Sequence, residues 1–295
     1  GGSGQMYEKI LVPLDGSELA EQAIPYVEWL ARKFNSEVIF ITVCFAGDPL
    51  ERALTEYIER RAEKIQSLGM KTRAACIEGE PATSIIDFAG KNDVSLIVLS
   101  THGRTGLSHW PLGSIANKVV QRSNIPVFLV RSGHPGKTSA DKELRKILVT
   151  LDGSRFSEAI IPYVEKLAKV MGSEVTFLRI IEPSKLPQLA AYIDREKYEK
   201  DFIAKLEREA GRYLGKKKTA LASKGIKVNS ALLEGKPVET ILQYAEDNSI
   251  NLIALTTHGF SGITKWAYGS VASRIIEGSS KPTLLVRPPL PALKT

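Results

Sequence analysis

Short apolar runs alternate with longer stretches in which apolar residues recur every three or four positions. Lys9 to Leu14 is a compact apolar run and reads as a buried strand. From Glu18 to Phe34 the apolar residues Ala20, Ala23, Ile24, Val27, Leu30 and Ala31 fall on one helical face, which predicts a helix over the whole stretch. Val38 to Cys44 is β-branched and aromatic, and predicts a second strand. Leu50 to Leu68 has helical spacing, and Lys71 to Ile77 alternates weakly, as an edge strand does. Pro81 opens a helix at its first turn, where a missing N–H costs nothing. Val94 to Leu99 is a continuous apolar strand, Ile115 to Arg122 a helix, and Val127 to Val130 a last strand. Strands that alternate with helices, several of them apolar on both faces, imply an open parallel sheet covered on both sides.

The same order then begins again. Ile10–Ser17 recurs as Ile147–Ser154 and Ile24–Glu28 as Ile161–Glu165, both displaced by 137 positions. Ser100-Thr101-His102-Gly103 recurs as Thr256-Thr257-His258-Gly259, Trp110 as Trp266, and Gly113-Ser114 as Gly269-Ser270, all displaced by 156, so the second copy carries 19 additional residues. Their expected place is the charged stretch from Pro183 to Lys218, read as a lengthened helical connection. The period is far too long for a solenoid. The reading is a duplicated domain: residues 1–5 as a cloning remnant before a natural start at Met6, a first domain over 6–132, a linker over 133–142, a second domain over 143–290, and a tail over 291–295. At roughly 100–200 residues per domain, two domains fit the length.

Composition narrows the function classes. Hydrophobic content of 43% with 25% charged residues belongs to a globular chain and excludes a disordered or collagen-like one. No apolar run is long enough to span a membrane. The net charge is +7, but Lys and Arg are interspersed with Asp and Glu, and the one dense run, Lys216-Lys217-Lys218, reads as a solvated helix end rather than a surface for DNA. Cys44 and Cys76 are too few for a disulfide scaffold or a multi-cysteine metal site. They read as inert core thiols in a reducing, cytoplasmic setting. Gly133 to Thr138 looks superficially like a P-loop, but Arg131 stands where the first glycine is required.

In sheets of this kind ligands bind beyond the carboxyl ends of the strands, where strand order reverses. The recurring polar residues lie there: Asp15 after the first strand, His102 and Gly103 after the fourth, and Gly113-Ser114 at the start of the next helix. A helix start offers unpaired N–H groups and a positive dipole end, which suit phosphate, and glycines at 103 and 113 let backbone approach an anion. Arg104 adds charge in the first copy; Phe260 replaces it in the second. Asp15 has a competing role as a helix cap, since Asp15-Gly-Ser-Glu18 has capping-box spacing; Asp152, however, is followed by Arg155. His102 and His258 read as backbone-orienting residues, and Trp110 and Trp266 as packing residues.

These residues resemble the universal stress protein family, of the tandem two-domain kind, over nearly the whole chain from Met6 to about Pro289. Nucleotide-binding members carry Gly-x2-Gly-x9-Gly-(Ser/Thr). Here nine residues separate Gly103 from Gly113-Ser114, and nine separate Gly259 from Gly269-Ser270. The motif's first glycine is replaced by Ser100 and Thr256, whose Cβ is expected to crowd ribose or backbone. The resemblance implies two tandem copies of an open five-stranded parallel sheet with helices on both faces, Rossmann-like. It implies Asp15 and Asp152 near adenine or ribose, Val43 and Ile180 against adenine, and Gly103, Gly113, Ser114, Gly259, Gly269 and Ser270 on the phosphates. Pro13, Leu14, Leu99 and Ile115 would line the pocket by backbone contact.

The function so implied is that of a cytoplasmic stress-response or regulatory protein that binds ATP, AMP or another adenine nucleotide, with Mg accompanying ATP. The nucleotide acts as a switch or is slowly hydrolysed. The alternative is a scaffold of the same fold that binds no nucleotide; a nucleotidyl-transfer enzyme would need a further catalytic motif. Expected partners are the nucleotide, the two copies paired with each other about a pseudo-two-fold axis through their last strands, a homodimer, and an unidentified protein; neither DNA nor membrane is expected. Copy one is expected to bind ATP at least as well as copy two, because Ser100 is smaller than Thr256 and Arg104 is a cation.

Overall fold

A computed structural model describes residues 6–103, 112–133, 143–182, 195–258 and 269–289. The first copy contains β1 (Lys9–Pro13), α1 (Glu18–Glu21), α2 (Ile24–Phe34), β2 (Glu37–Cys44), α3 (Glu51–Ser67), β3 (Thr72–Glu78), α4 (Pro81–Lys91), β4 (Leu96–Ser100), α5 (Ser114–Arg122) and β5 (Val127–Val130). The second repeats it as β6 (Lys146–Thr150), α6 (Arg155–Glu158), α7 (Ile161–Met171), β7 (Glu174–Ile181), α8 (Arg195–Ala222), β8 (Val228–Glu234), α9 (Pro237–Asp247), β9 (Leu252–Thr256), α10 (Ser270–Gly278) and β10 (Thr283–Val286).

All ten strands form one sheet in the order β3-β2-β1-β4-β5-β10-β9-β6-β7-β8. Within each copy the strands are parallel, and the chain first runs outward from β1 to β3 and then crosses to β4 on the other side. The reversal of order therefore falls between β1 and β4, and between β6 and β9 in copy two, which fixes where each crevice opens. The copies meet through β5 and β10, which pair antiparallel with Phe128 opposite Leu284. This pairing removes two of the four edges that separate sheets would expose, and leaves β3 and β8 at the rims. The apolar core follows the sheet: one buried cluster on one face runs from Val38 and Phe40 through Phe128 to Leu284, Val149 and Phe177. The opposite face carries a second continuous cluster from Ile39 to Leu178. Across the seam the Tyr7 hydroxyl donates to the Tyr163 carbonyl at 3.0 Å, and the Arg287 guanidinium donates to the Gln121 carbonyl at 3.1 Å.

Several elements differ from the sequence reading. The helix expected over Glu18 to Phe34 is two, α1 and α2, because Pro25 has no N–H and its ring would strike the carbonyl of Glu21 in a continuous helix. Pro162 divides α6 from α7 in the same way. The fourth strand starts at Leu96 rather than Val94, after a left-handed residue at Asp93 (φ 54°). The insertion enters α8, which has 28 residues where α3 has 17; residues 183–194 lie outside those described. Lys216–Lys218 sits inside α8 and not at its end, and Lys217 pairs with Glu158 at 2.7 Å.

Candidate functional site

β1 ends at Pro13, and Leu14 is held against the next strand by an N–H···O bond to Ile41 (2.8 Å). This leaves Asp15 at the sheet's carboxyl edge. Its Oδ1 accepts from the Ser17 N–H (3.0 Å) and the Ser17 hydroxyl (2.6 Å). Ser17 is the residue that caps α1, accepting from the Ala20 N–H at 3.1 Å. Asp15 therefore does not cap the helix; it orients the residue that does. Copy two repeats the arrangement: Asp152 Oδ1 accepts from the Ser154 N–H (2.9 Å), and Ser154 caps α6.

β4 delivers Leu99 and Ser100 to the same edge, one strand over, followed by Thr101, His102 and Gly103. Leu99 and Ser100 are buried. The Ser100 hydroxyl is bonded to that of Ser132, which also accepts from the His102 N–H at 3.0 Å, while the Ser132 N–H donates to Thr101 Oγ1 at 3.0 Å. This network ties the end of β4 to the end of β5, so Ser132, which the sequence reading left as the last residue of the first domain, stands beside the site. In copy two the corresponding position is Pro288, and the Thr256 hydroxyl instead donates to the His258 carbonyl at 2.7 Å. Each hydroxyl is bonded within the protein, that of Ser100 to a side chain and that of Thr256 to backbone. His102 and His258 are buried, and each shares a hydrogen bond between Nδ1 and the preceding threonine hydroxyl, at 3.1 and 2.9 Å.

Gly103 packs against Asp15 so closely that a Cβ would overlap Asp15 Oδ2. A Cβ on Gly113 would stand 3.0 Å from the Thr101 carbonyl oxygen. The N–H of Gly113 is already committed, donating to that carbonyl at 2.8 Å, and that of Gly269 donates to Thr257 at 2.7 Å. The N–H groups offered to an anion are consequently those of the next residues, Ser114, Ile115 and Ala116, in the first turn of α5. Among the described residues no side chain caps α5 or α10. Ser114 and Ser270 are exposed at these helix starts, and Ile115 is exposed beside Ser114.

Val43 and Ile180, near the ends of β2 and β7, are half-buried and pack against the second core cluster. In copy two the parts line a half-open cavity of about 590 Å³, with Asp152, Ile180, Thr256, Gly269 and Ser270 among its walls. Sequence reading missed three further features of its wall. Phe202 and Leu206 reach it from α8, the lengthened helix. Arg179 also lines it, with Nη1 2.9 Å from where a Cβ on Gly153 would be and the guanidinium 5.5 Å from the ring centre of Tyr213. Copy one has Thr42 at the place of Arg179, so no repeat signal marked it. Arg104, Trp110, Gly259, Phe260, Trp266 and most of the P-loop-like segment lie outside the described residues. Among the described residues no three His, Cys, Asp or Glu side chains gather as a metal site, and no helix is long and apolar enough to cross a membrane.

The model of the universal stress protein family matches this chain twice, over residues 6–131 and 143–287. A universal stress protein of Methanocaldococcus jannaschii is 33% identical over 141 residues, covering 43% of this chain and 83% of its own. One from Synechocystis sp. is 23% identical over 314 residues, covering 95% of this chain and all of its own length. Among solved structures, a universal stress protein from Archaeoglobus fulgidus superposes with a TM-score of 0.73 at 20% identity, covering 95% of this chain and 98% of its own.

Proposed function

The chain belongs to the universal stress protein family, in tandem form, and from that premise we propose that it binds ATP or a related adenine nucleotide in its crevices and uses it as a switch on assembly or partner choice. The observation that carries this reading is the contact between Gly103 and Asp15, combined with an uncapped helix start across the crevice. A carboxylate held by Ser17 stands ready to accept from ribose or adenine, and the first turn of α5 presents N–H groups to phosphate. Val43 supplies an apolar wall for the base in copy one, as Ile180 does in copy two. Mg, when it accompanies ATP, is held chiefly by the phosphate oxygens and water, its usual habit. Hydrolysis is slow in this reading: His102 and His258 are buried, and each Nδ1 is engaged by its threonine neighbour. The setting we propose is cytoplasmic.

Mass spectrometry of small molecules released from the purified protein tests the reading. The expected result is an adenine nucleotide that no longer co-purifies when Gly113→Val and Gly269→Val are combined. Recovery of none, together with a flat ATP titration of the folded protein, would favour the scaffold alternative.

A further inference from the structure

The geometry points to a reversible disulfide site at Cys44 and Cys76, formed when a hydroperoxide oxidises the half-exposed thiol and the buried one resolves it. The inference does not depend on nucleotide binding. The two sulfurs lie 2.9 Å apart across β2 and β3, about 0.9 Å beyond the length of a disulfide bond. Register places Thr42 opposite Cys76 and Cys44 opposite Glu78, so the cysteines are diagonal neighbours, and the even spacing from 42 to 44 keeps them on one face.

Their environments divide the work. Cys76 is half-buried on the rim strand of the sheet and is the more exposed of the two. Cys44 is fully buried, and burial first, then its bond to Cys76, pushes its thiol up to about 12. It stays protonated and unreactive until a partner sulfur becomes electrophilic. The Cys76 sulfur attacks the hydroperoxide, breaking its O–O bond; Cys76 becomes a sulfenic acid and the alcohol, or water from hydrogen peroxide, leaves. The Cys44 sulfur then displaces hydroxide from the sulfenic sulfur, and its proton leaves with that hydroxide as water. Two thiols are oxidised and one peroxide is reduced. Copy two carries Ile181 and Leu232 at the matching positions, so aliphatic side chains satisfy the packing there and the thiols are peculiar to copy one. Cys44 directly follows Val43, and its carbonyl accepts from the Gly79 N–H at 3.1 Å, so the bond would pin β3 to β2 at the mouth of the copy-one crevice.

Exposure of the native protein to hydrogen peroxide, followed by alkylation and peptide mapping, tests this. The expected product has no covalent link between chains and is about 2 Da lighter per chain, with one peptide pair joining Cys44 to Cys76, and is restored by dithiothreitol. In Cys76→Ser, Cys44 should remain reduced at the same dose. Two alkylatable thiols after treatment, sulfinic acids without a cross-link, a link between chains, or oxidation of Cys44 in Cys76→Ser at the wild-type rate would each overturn the proposal.

Discussion

The Asp15 carboxylate occupies the space that a side chain on residue 103 would need, so the aspartate that follows the first strand and the glycine that follows the fourth are fitted to each other. Gly103→Ala forces the carboxylate away from Ser17 or the backbone away from the carboxylate. Overpacking of this kind costs about 1–3 kcal/mol. A lower denaturation midpoint is expected, with at least a tenfold loss of ATP affinity at copy one, read by calorimetric titration.

Asp15→Ala removes the acceptor without moving backbone. Since Ser17 and not Asp15 caps α1, the stability loss should stay near the low end of the ~0.5–2 kcal/mol seen for lost caps. The loss in ATP binding should be larger, about 1–3 kcal/mol, the scale for leaving a buried partner unpaired. Denaturation and binding isotherms on the same variant separate the two. An unchanged affinity in a folded protein would remove Asp15 from the site.

The two helix-start glycines should differ in tolerance. A Cβ on Gly113 meets the Thr101 carbonyl at 3.0 Å, but on Gly269 the matching contact is 3.7 Å, ordinary van der Waals distance. Gly113→Ala should therefore lower the melting temperature measurably while Gly269→Ala leaves it within error. Equal effects would show that the crevices are packed alike.

Much of this was legible in the chain. The apolar runs and the doubled motif specify ten strands in two parallel sets, because strands buried on both faces need continuous β-branched and aliphatic residues. The break at Pro25 was legible too, and the one-sided apolar spacing masked it; Pro162 at the same place in copy two carries the same signal. Ser132 was not legible. Its partners, Thr101 and His102, stand 31 and 30 residues away and meet it only because β4 and β5 are neighbours. Arg179 was hidden for a different reason: Thr42 stands at its place in copy one, so the repeat did not mark it, and it meets Tyr213 of α8 only in the fold.

Glu80 gives the fold a pH dependence. It caps α4 by accepting from the Thr83 N–H at 2.8 Å and pairs with Lys118 of α5 at 2.9 Å. The bonds from Thr83 first, and Lys118 next, hold its carboxyl down at about 2. A depressed carboxylate stabilises the fold above its ordinary value of about 4.3 and loses that contribution as pH falls toward the folded value. The side chain is 46% exposed, so solvent screens the pair. Glu80→Ala should cost only about 0.5–1 kcal/mol at neutral pH. The gap between variant and parent in thermal melts should close as pH falls from about 4.3 toward 2; a gap that widens in acid would contradict the assignment.

Titration of ATP into nucleotide-free protein by calorimetry bears most directly on the central claim. Saturable binding is expected, reduced at one crevice by Gly113→Val and at the other by Gly269→Val, and abolished when both are changed in a protein that still melts cooperatively. Absence of binding to the parent protein, or full binding in the folded double variant, would contradict it.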